Sequence, residues 1–145
     1  MEILNRRARH EYFIEDEIEC GIVLKGTEIK SIRDGKCNIG DSYGHIRKGE
    51  LYVLNMFISQ YKEGNIFNHE ETRTRKLLLH KREILKLTDK VNLDGYTLIP
   101  LKVYLKDNKA KLLLGLCKGK KLFDKRESEK EESIKRNIQK KNYNL

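Results

Sequence analysis

The sequence predicts a mainly β domain, an antiparallel barrel with helices inserted between its strands, ending in a charged tail. Two observations carry this. Apolar runs of strand length recur along the chain and are broken by turn dipeptides, Lys48-Gly49 and Asp107-Asn108, while no βαβ alternation is present. A third concerns the ending: from Glu127 onward no aromatic occurs before Tyr143, and charge dominates.

Taken in order, "YFIEDEIECGIVL" (12 to 24) mixes alternation with a β-branched finish and reads as a strand or hairpin interrupted by Glu15, Asp16 and Glu17. "GTEIKSIRDG" predicts a short helix with Thr27 as cap, Ile29 and Ile32 on one face and Gly35 as a left-handed terminator. "SYGHIRKGELYVLNMFIS" divides at Lys48-Gly49 into an antiparallel hairpin, with Tyr43, Leu51, Val53 and Ile58 as sheet residues. "QYKEGNIFNHEETRTR" lacks a period and reads as a long loop, a frequent place for function. "HKREILKLTDKVN" sets Ile84, Leu87 and Val91 at helical spacing and stops before Asp94-Gly95. "YTLIPLKVYL" and "KAKLLLGLC" form the clearest hairpin, turning at Asp107-Asn108. Many short strands with helical insertions predict a partly open barrel of the OB type.

The chain therefore divides into a barrel domain, residues 1–126, and a tail, residues 127–145. Within the tail Glu131 and Lys135, Glu132 and Arg136, and Ile134 and Ile138 lie four apart. Such pairs contribute only ~0.2–0.5 kcal/mol each against a costly nucleation step, so the tail alone is expected to be disordered and to become helical only on a partner.

The net charge of +9 attracts polyanions and loses its reach in salt. The tail holds five basic and four acidic side chains, which leaves +8 on the barrel. Basic residues collect at 5 to 10 ("NRRARH"), at 73 to 76 ("RTRK") with 80 to 82 ("HKR"), and at 118 to 121 ("KGKK") with Lys125 and Arg126. One such cluster is usually a solvated face. Three beside a barrel predict a polyanion-binding surface if folding unites them. RNA is favoured over DNA because no helix-turn-helix, homeodomain or finger signature is present, and Tyr12, Phe13, Tyr43 and Tyr61 lie near cations. In strand patterns such rings more often serve the core.

Other function classes find little support. No apolar run approaches the ~18–20 residues of a membrane span, and no apolar signal core opens the chain, so a soluble, cytoplasmic protein without membrane partners is expected. Cys20, Cys37 and Cys117 are widely spaced and read as small core residues. His10, His45, His69 and His80 show no ligand spacing, so no metal is expected, and with no phosphate-loop or nucleophile-elbow motif no cofactor either. A nuclease would have to gather Glu28, Asp34, Asp41 and Glu70, each of which also suits a helix end, turn or ion pair. The expectation is a binding protein, not an enzyme. A generic RNA-binding or ribosome-associated OB protein is the alternative.

In unbroken order, "NRRARHEYFIE", "GIVLKGTEIKSIRDGKCNIGDSY", "FNHEETRTRKLLLHKREI" and "KGKKLFDKRE" resemble the tmRNA-binding protein family, also called small protein B or SsrA-binding proteins. The resemblance implies an OB-like barrel that binds the tRNA-like domain of tmRNA. It implies delivery, with elongation factor Tu, to bacterial ribosomes stalled on broken messages, for rescue and peptide tagging by trans-translation. It places the body at the decoding centre, standing in for a missing anticodon arm, and the tail in the empty mRNA channel.

Carried over residue by residue, the resemblance implies RNA contacts by Asn5, Arg6 and Arg7, by Glu28, Lys30, Ser31, Arg33 and Asn38, by Arg73, Thr74, Arg75 and Lys76, and by Lys118, Lys120 and Lys121. Arginine suits forked phosphate contacts. Glu28 would accept from base amino groups or 2′-hydroxyls, or hold a neighbouring cation in place. Asp124, Lys125, Arg126, Lys135, Arg136, Lys140 and Lys141 would meet the ribosome. The sequence departs from the family where Phe123 stands for a common tyrosine, Arg7 for lysine and Cys37 for alanine, and the tail ends early. The ring at 123 therefore keeps only stacking or packing.

Overall fold

A computed structural model of the chain describes residues 1–63 and 68–119. Nine strands and three helices follow in the order β1 (Glu2–Leu4), α1 (Ala8–Glu11), β2 (Tyr12–Ile22), α2 (Gly26–Arg33), β3 (Cys37–Asn38), β4 (Tyr43–Arg47), β5 (Glu50–Leu54), β6 (Phe57–Ile58), β7 (Arg75–Leu78), α3 (Lys81–Asp94), β8 (Thr97–Lys106) and β9 (Lys109–Gly119) among the described residues. Every pairing between them is antiparallel.

The pairings close on themselves. From β8 the ladder runs to β4, β5, β7, β2 and β9, and β9 pairs back onto β8, so six strands form a ring with no free edge between them. The mainly β class with inserted helices is as the sequence predicts, with the ring closed by the β8–β9 hairpin. Its turn, Asp107 and Asn108 at φ 52° and 63°, has the left-handed conformation that the hairpin twist demands. Lys48 and Gly49, at φ 51° and 77°, do the same for β4 and β5.

The acidic cluster does not break β2 into two strands. Ile14 faces Cys117 and Asp16 faces Leu116, so one extra residue is absorbed as a bulge and pairing with β9 continues. On its other edge β8 is shared: Leu98 pairs with Gly44 of β4, and Lys102 to Tyr104 pair with β1. Between these lie Pro100, which has no N–H to give, and a second register shift.

Inside the ring Leu51, Val53, Leu77, Leu98, Val103, Leu112 and Leu114 form the core, joined by Ile32 of α2 and by Ile84 and Leu87 of α3. Gly95, at φ 72°, ends α3 as expected. A second cluster, Ala8, Ile99, Leu101 and Cys117, seats α1 on a different part of the sheet. Cys20 and Cys117 are fully buried and Cys37 half-buried, in keeping with their reading as small core residues. Burial pushes their thiols up, to about 12 for Cys20 and Cys37 and about 11 for Cys117. Native protein at pH 8 should therefore resist a thiol reagent that labels all three cysteines in denaturant. Rapid native labelling of Cys20 or Cys117 would contradict this packing.

Candidate nucleic-acid interface

The helix α2 starts at Gly26 with Lys25 as the extended boundary residue, two residues earlier than a Thr27 cap would allow. Glu28 is the reason. Its Oε1 accepts the Lys25 backbone N–H at 2.7 Å, satisfying a donor that a helix start leaves open. Thr27 turns away, and its hydroxyl donates to Nδ1 of the buried His69 at 2.8 Å. Nε2 of that ring donates to the Ile58 carbonyl at 2.8 Å, since a carbonyl can only accept. His69 is thus a tie between α2, β6 and the long loop.

Glu28 is fully buried and serves two arginines. Arg73 Nη2 donates to Oε1 at 2.6 Å and its Nε to Oε2 at 3.2 Å, a forked pair, while Arg75 Nε donates to Oε2 at 2.5 Å. Burial, the largest influence on the Glu28 carboxyl, works to raise its pKa. The bonds from Arg73, the Lys25 N–H and Arg75 reverse that and hold it below the usual range. Arg75 is also fully buried, and burial lowers its pKa against the pull of Glu28. Its Nη1 donates to the Met56 carbonyl at 2.5 Å, and its Nη2 to the Glu71 carbonyl at 3.2 Å.

Three of the residues expected to meet RNA are spent on the protein's own structure. Arg75 faces inward and is bound by protein partners. Glu28 holds cations in place. Asn5 is buried as well. Its side-chain amide donates to the Pro100 carbonyl at 2.9 Å and the Ile39 carbonyl at 3.2 Å, and its Oδ1 accepts the Ala8 N–H at 3.2 Å. It stitches the gap on β8 between β1 and β4 and takes up the first N–H of α1, a structural task.

Other expected residues lie on the surface. Lys30 and Arg33 are exposed on α2, and the Lys30 Nζ sits 5.4 Å from the Tyr61 ring centroid. Ser31 is buried with no hydrogen-bond partner for its hydroxyl among the described residues, beside a hollow of about 180 Å³ lined by Lys36, Gln60, Tyr61 and Lys62. Asn38 is exposed, and its Oδ1 accepts the Gly40 N–H at 2.8 Å. Arg73 is partly open at 26%. Thr74 is exposed.

The basic clusters are brought together unevenly. Arg7 pairs with Asp41 at 3.3 Å and with Glu11 at 3.2 Å, so the N-terminal arm is joined to the loop between β3 and β4. Tyr12 faces Gly119 across β2 and β9, which brings 5 to 10 beside Lys118, whose Nζ lies 4.6 Å from the Tyr96 ring centroid. Arg73 joins α2 through Glu28. Lys76 does not join this belt; it points outward beside Glu50, 3.2 Å away. Arg6 is exposed near Arg9 and His10. Lys120, Lys121, Asp124, Lys125, Arg126, Lys135, Arg136, Lys140 and Lys141 lie outside the described residues.

Comparison with known proteins agrees with this fold. SsrA-binding proteins of Staphylococcus aureus, from strains Newman, USA300 and COL, are 58% identical over 134 residues, covering 92% of this chain and 87% of theirs. A solved structure described as "tmRNA-SmpB: a journey to the center of the bacterial ribosome" superposes with a TM-score of 0.70 at 48% identity, covering 82% of this chain and 84% of that one. The family model described as SmpB protein matches residues 2–144, and at that coverage and identity the chain belongs to the SmpB family.

Proposed function

We propose that this protein binds the tRNA-like domain of tmRNA and carries it to stalled bacterial ribosomes for trans-translation. The observation that carries the reading is the cationic belt on α2 and its flanks, held by a buried Glu28 and drawn on a chain 58% identical to SsrA-binding proteins. Arg73, fixed by a fork to Glu28 yet partly open, presents its remaining surface to phosphate. Lys30, Arg33 and Asn38 extend the contact along α2, and the hollow beside Ser31, which Asp34 and Glu63 line together with Lys36 and Lys62, offers an unspent hydroxyl. Arg6, Arg7, Thr74 and Lys118 border the same belt. Glu28, Arg75 and Asn5 act through these residues and touch no RNA.

In this reading the protein is an RNA-binding factor and not a catalyst, and it works in the cytoplasm, where ribosomes are. Residues 127–145 enter the empty mRNA channel and order there, where ribosomal phosphates neutralise Lys135, Arg136, Lys140 and Lys141. Elongation factor Tu joins the delivery complex.

The test compares the full chain with a version ending at Arg126, each titrated with a tRNA-like fragment of tmRNA, an equal-length tRNA and an RNA duplex. Both proteins should prefer the tmRNA fragment, and only the full chain should support peptide tagging on stalled ribosomes. Arg33→Ala should weaken binding and lower the salt slope by roughly 0.7–0.9 for one phosphate contact. Equal affinity for all three RNAs would reduce the protein to a generic RNA binder. Full tagging by the truncated chain would remove the tail from the mechanism.

A further inference from the structure

The outer face of the β4–β5 hairpin carries a groove that shares only Thr74 with the residues bordering the α2 belt. It encloses about 600 Å³ between His45, Arg47, Lys48, Tyr52 and Thr74, within the ~300–1,000 Å³ of small-ligand sites. Strand alternation sets its chemistry. Positions 43, 45 and 47 of β4 face outward and are exposed, and the register places His45 opposite Tyr52 and Arg47 opposite Glu50. Two rings therefore stand side by side, one of them half-buried and so held as a platform.

The charge of the groove is positive and unspent. Glu50, its anion, is already bound by Lys76 at 3.2 Å. Arg47 and Lys48 are exposed and make no ion pair or hydrogen bond among the described residues. Lys48 also holds a left-handed φ of 51°, a conformation that favours glycine or asparagine over lysine. The hairpin twist accounts for the backbone, but among the described residues the lysine side chain itself meets no partner.

A flat ring beside two uncommitted cations is the pairing that takes one base face and one phosphate of an unpaired nucleotide. A duplex offers phosphates but no free base face, and a small anion would leave Tyr52 unused. We propose that this groove binds an unpaired nucleotide of single-stranded RNA, its base on Tyr52 beside His45 and its phosphate on Arg47 and Lys48. The site is separate from the tRNA-like reading and needs no tRNA-like RNA.

The probe is a labelled hexauridylate titrated by fluorescence anisotropy onto the full chain. Tyr52→Leu is expected to weaken binding about tenfold, as loss of one base–aromatic stack does. Lys48→Gly should weaken it and lower the salt slope by about 0.7, the value for one single-strand phosphate contact. The same change should raise or preserve the melting temperature, because glycine relaxes the turn, so loss of binding cannot come from unfolding. Lys86→Ala, an exposed change on α3 that belongs neither to the groove nor to the belt, should leave hexauridylate binding unchanged. Wild-type affinity in Tyr52→Leu, or equal displacement of the probe by inorganic polyphosphate and by unlabelled hexauridylate, would overturn the proposal and leave a merely cationic patch. A chain that binds hexauridylate this way yet shows no preference for tmRNA would sink the tRNA-like reading alone.

Discussion

Replacing Glu28 with alanine should destabilise the barrel by about 3–5 kcal/mol, the usual cost of stranding a buried charge. Arg75 is fully buried, and without Glu28 its Nε has no acceptor while Nη1 and Nη2 keep theirs on the Met56, Glu70 and Glu71 carbonyls. The Lys25 N–H loses its acceptor at the helix start as well. Urea titration with a two-state fit measures the loss, and a change below about 1 kcal/mol would mean that Glu28 is not the keystone the geometry makes it. The double variant Glu28→Leu with Arg75→Met should recover much of the stability, since apolar side chains of similar volume often replace a buried ion pair without net cost. It should not recover RNA binding, because Arg73 would still lack the fork that aims it. The acid limb gives a second reading of the same group. A carboxyl whose pKa is lowered on folding contributes stability in full above its unfolded value of about 4.3, and that contribution drains away as the pH falls through the lower folded value. Glu28→Gln should accordingly be less stable at neutral pH and lose less of its stability on acidification. A variant whose acid limb runs parallel to the wild type would place the titrating group elsewhere.

The same triad shows why sequence reading stopped where it did. Turn chemistry made two hairpins legible, since Lys48-Gly49 and Asp107-Asn108 carry their conformation locally. Periodicity and a closing Gly95 did the same for α3. The strand β7 hid because its two ends run against polarity, Arg75 pointing in and Leu78 out, while Lys76 and Leu77 follow it. Alternation would reverse those two, and only a partner on a distant helix explains the order. Thr27 was the better local cap, yet His69, far along the chain, claimed its hydroxyl. Short β1, β3 and β6 have no pattern of their own and exist through their partners. For the interface, the family blocks point to α2 and its flanks, and burial divides those residues into side chains that hold and side chains that are open to solvent. No spacing rule makes that division: Arg73 precedes β7 and Arg75 opens it, both bind Glu28, and they differ in burial, 26% of the side chain open against none. The groove at Tyr52 was readable from the hairpin register alone, once positions 45, 47 and 52 are seen to share a face.

Valine at Gly44 should open the barrel at its weakest join. Between β4 and β8 the register holds one residue pair, Gly44 and Leu98, so the ring depends there on close backbone approach. The glycine is not needed for its φ, which lies outside the left-handed range, but for its missing side chain. A Cβ at 44 would stand 2.8 Å from the Leu98 Cβ and 3.4 Å from the Leu114 Cδ1. The Leu98 Cβ is fixed to the backbone and cannot rotate away, so relief requires the strands to part. Overpacking of this kind costs about 1–3 kcal/mol and occasionally more, and a join of one pair has no neighbouring rungs to share the displacement. Valine should therefore reach the upper end of that range and speed amide exchange in β4 and the start of β8, while β2 and β9, bound along most of their lengths, keep their protection. Gly26→Ala is the control: nothing lies within 4 Å of its added methyl, it sits in the first turn of α2, and alanine there should stabilise by up to about 1 kcal/mol. If Gly44→Val unfolds within 0.5 kcal/mol of the wild type, the join between β4 and β8 is not what closes the ring. If it falls by several kcal/mol while exchange quickens evenly over all strands, the barrel opens as one cooperative unit, with no seam.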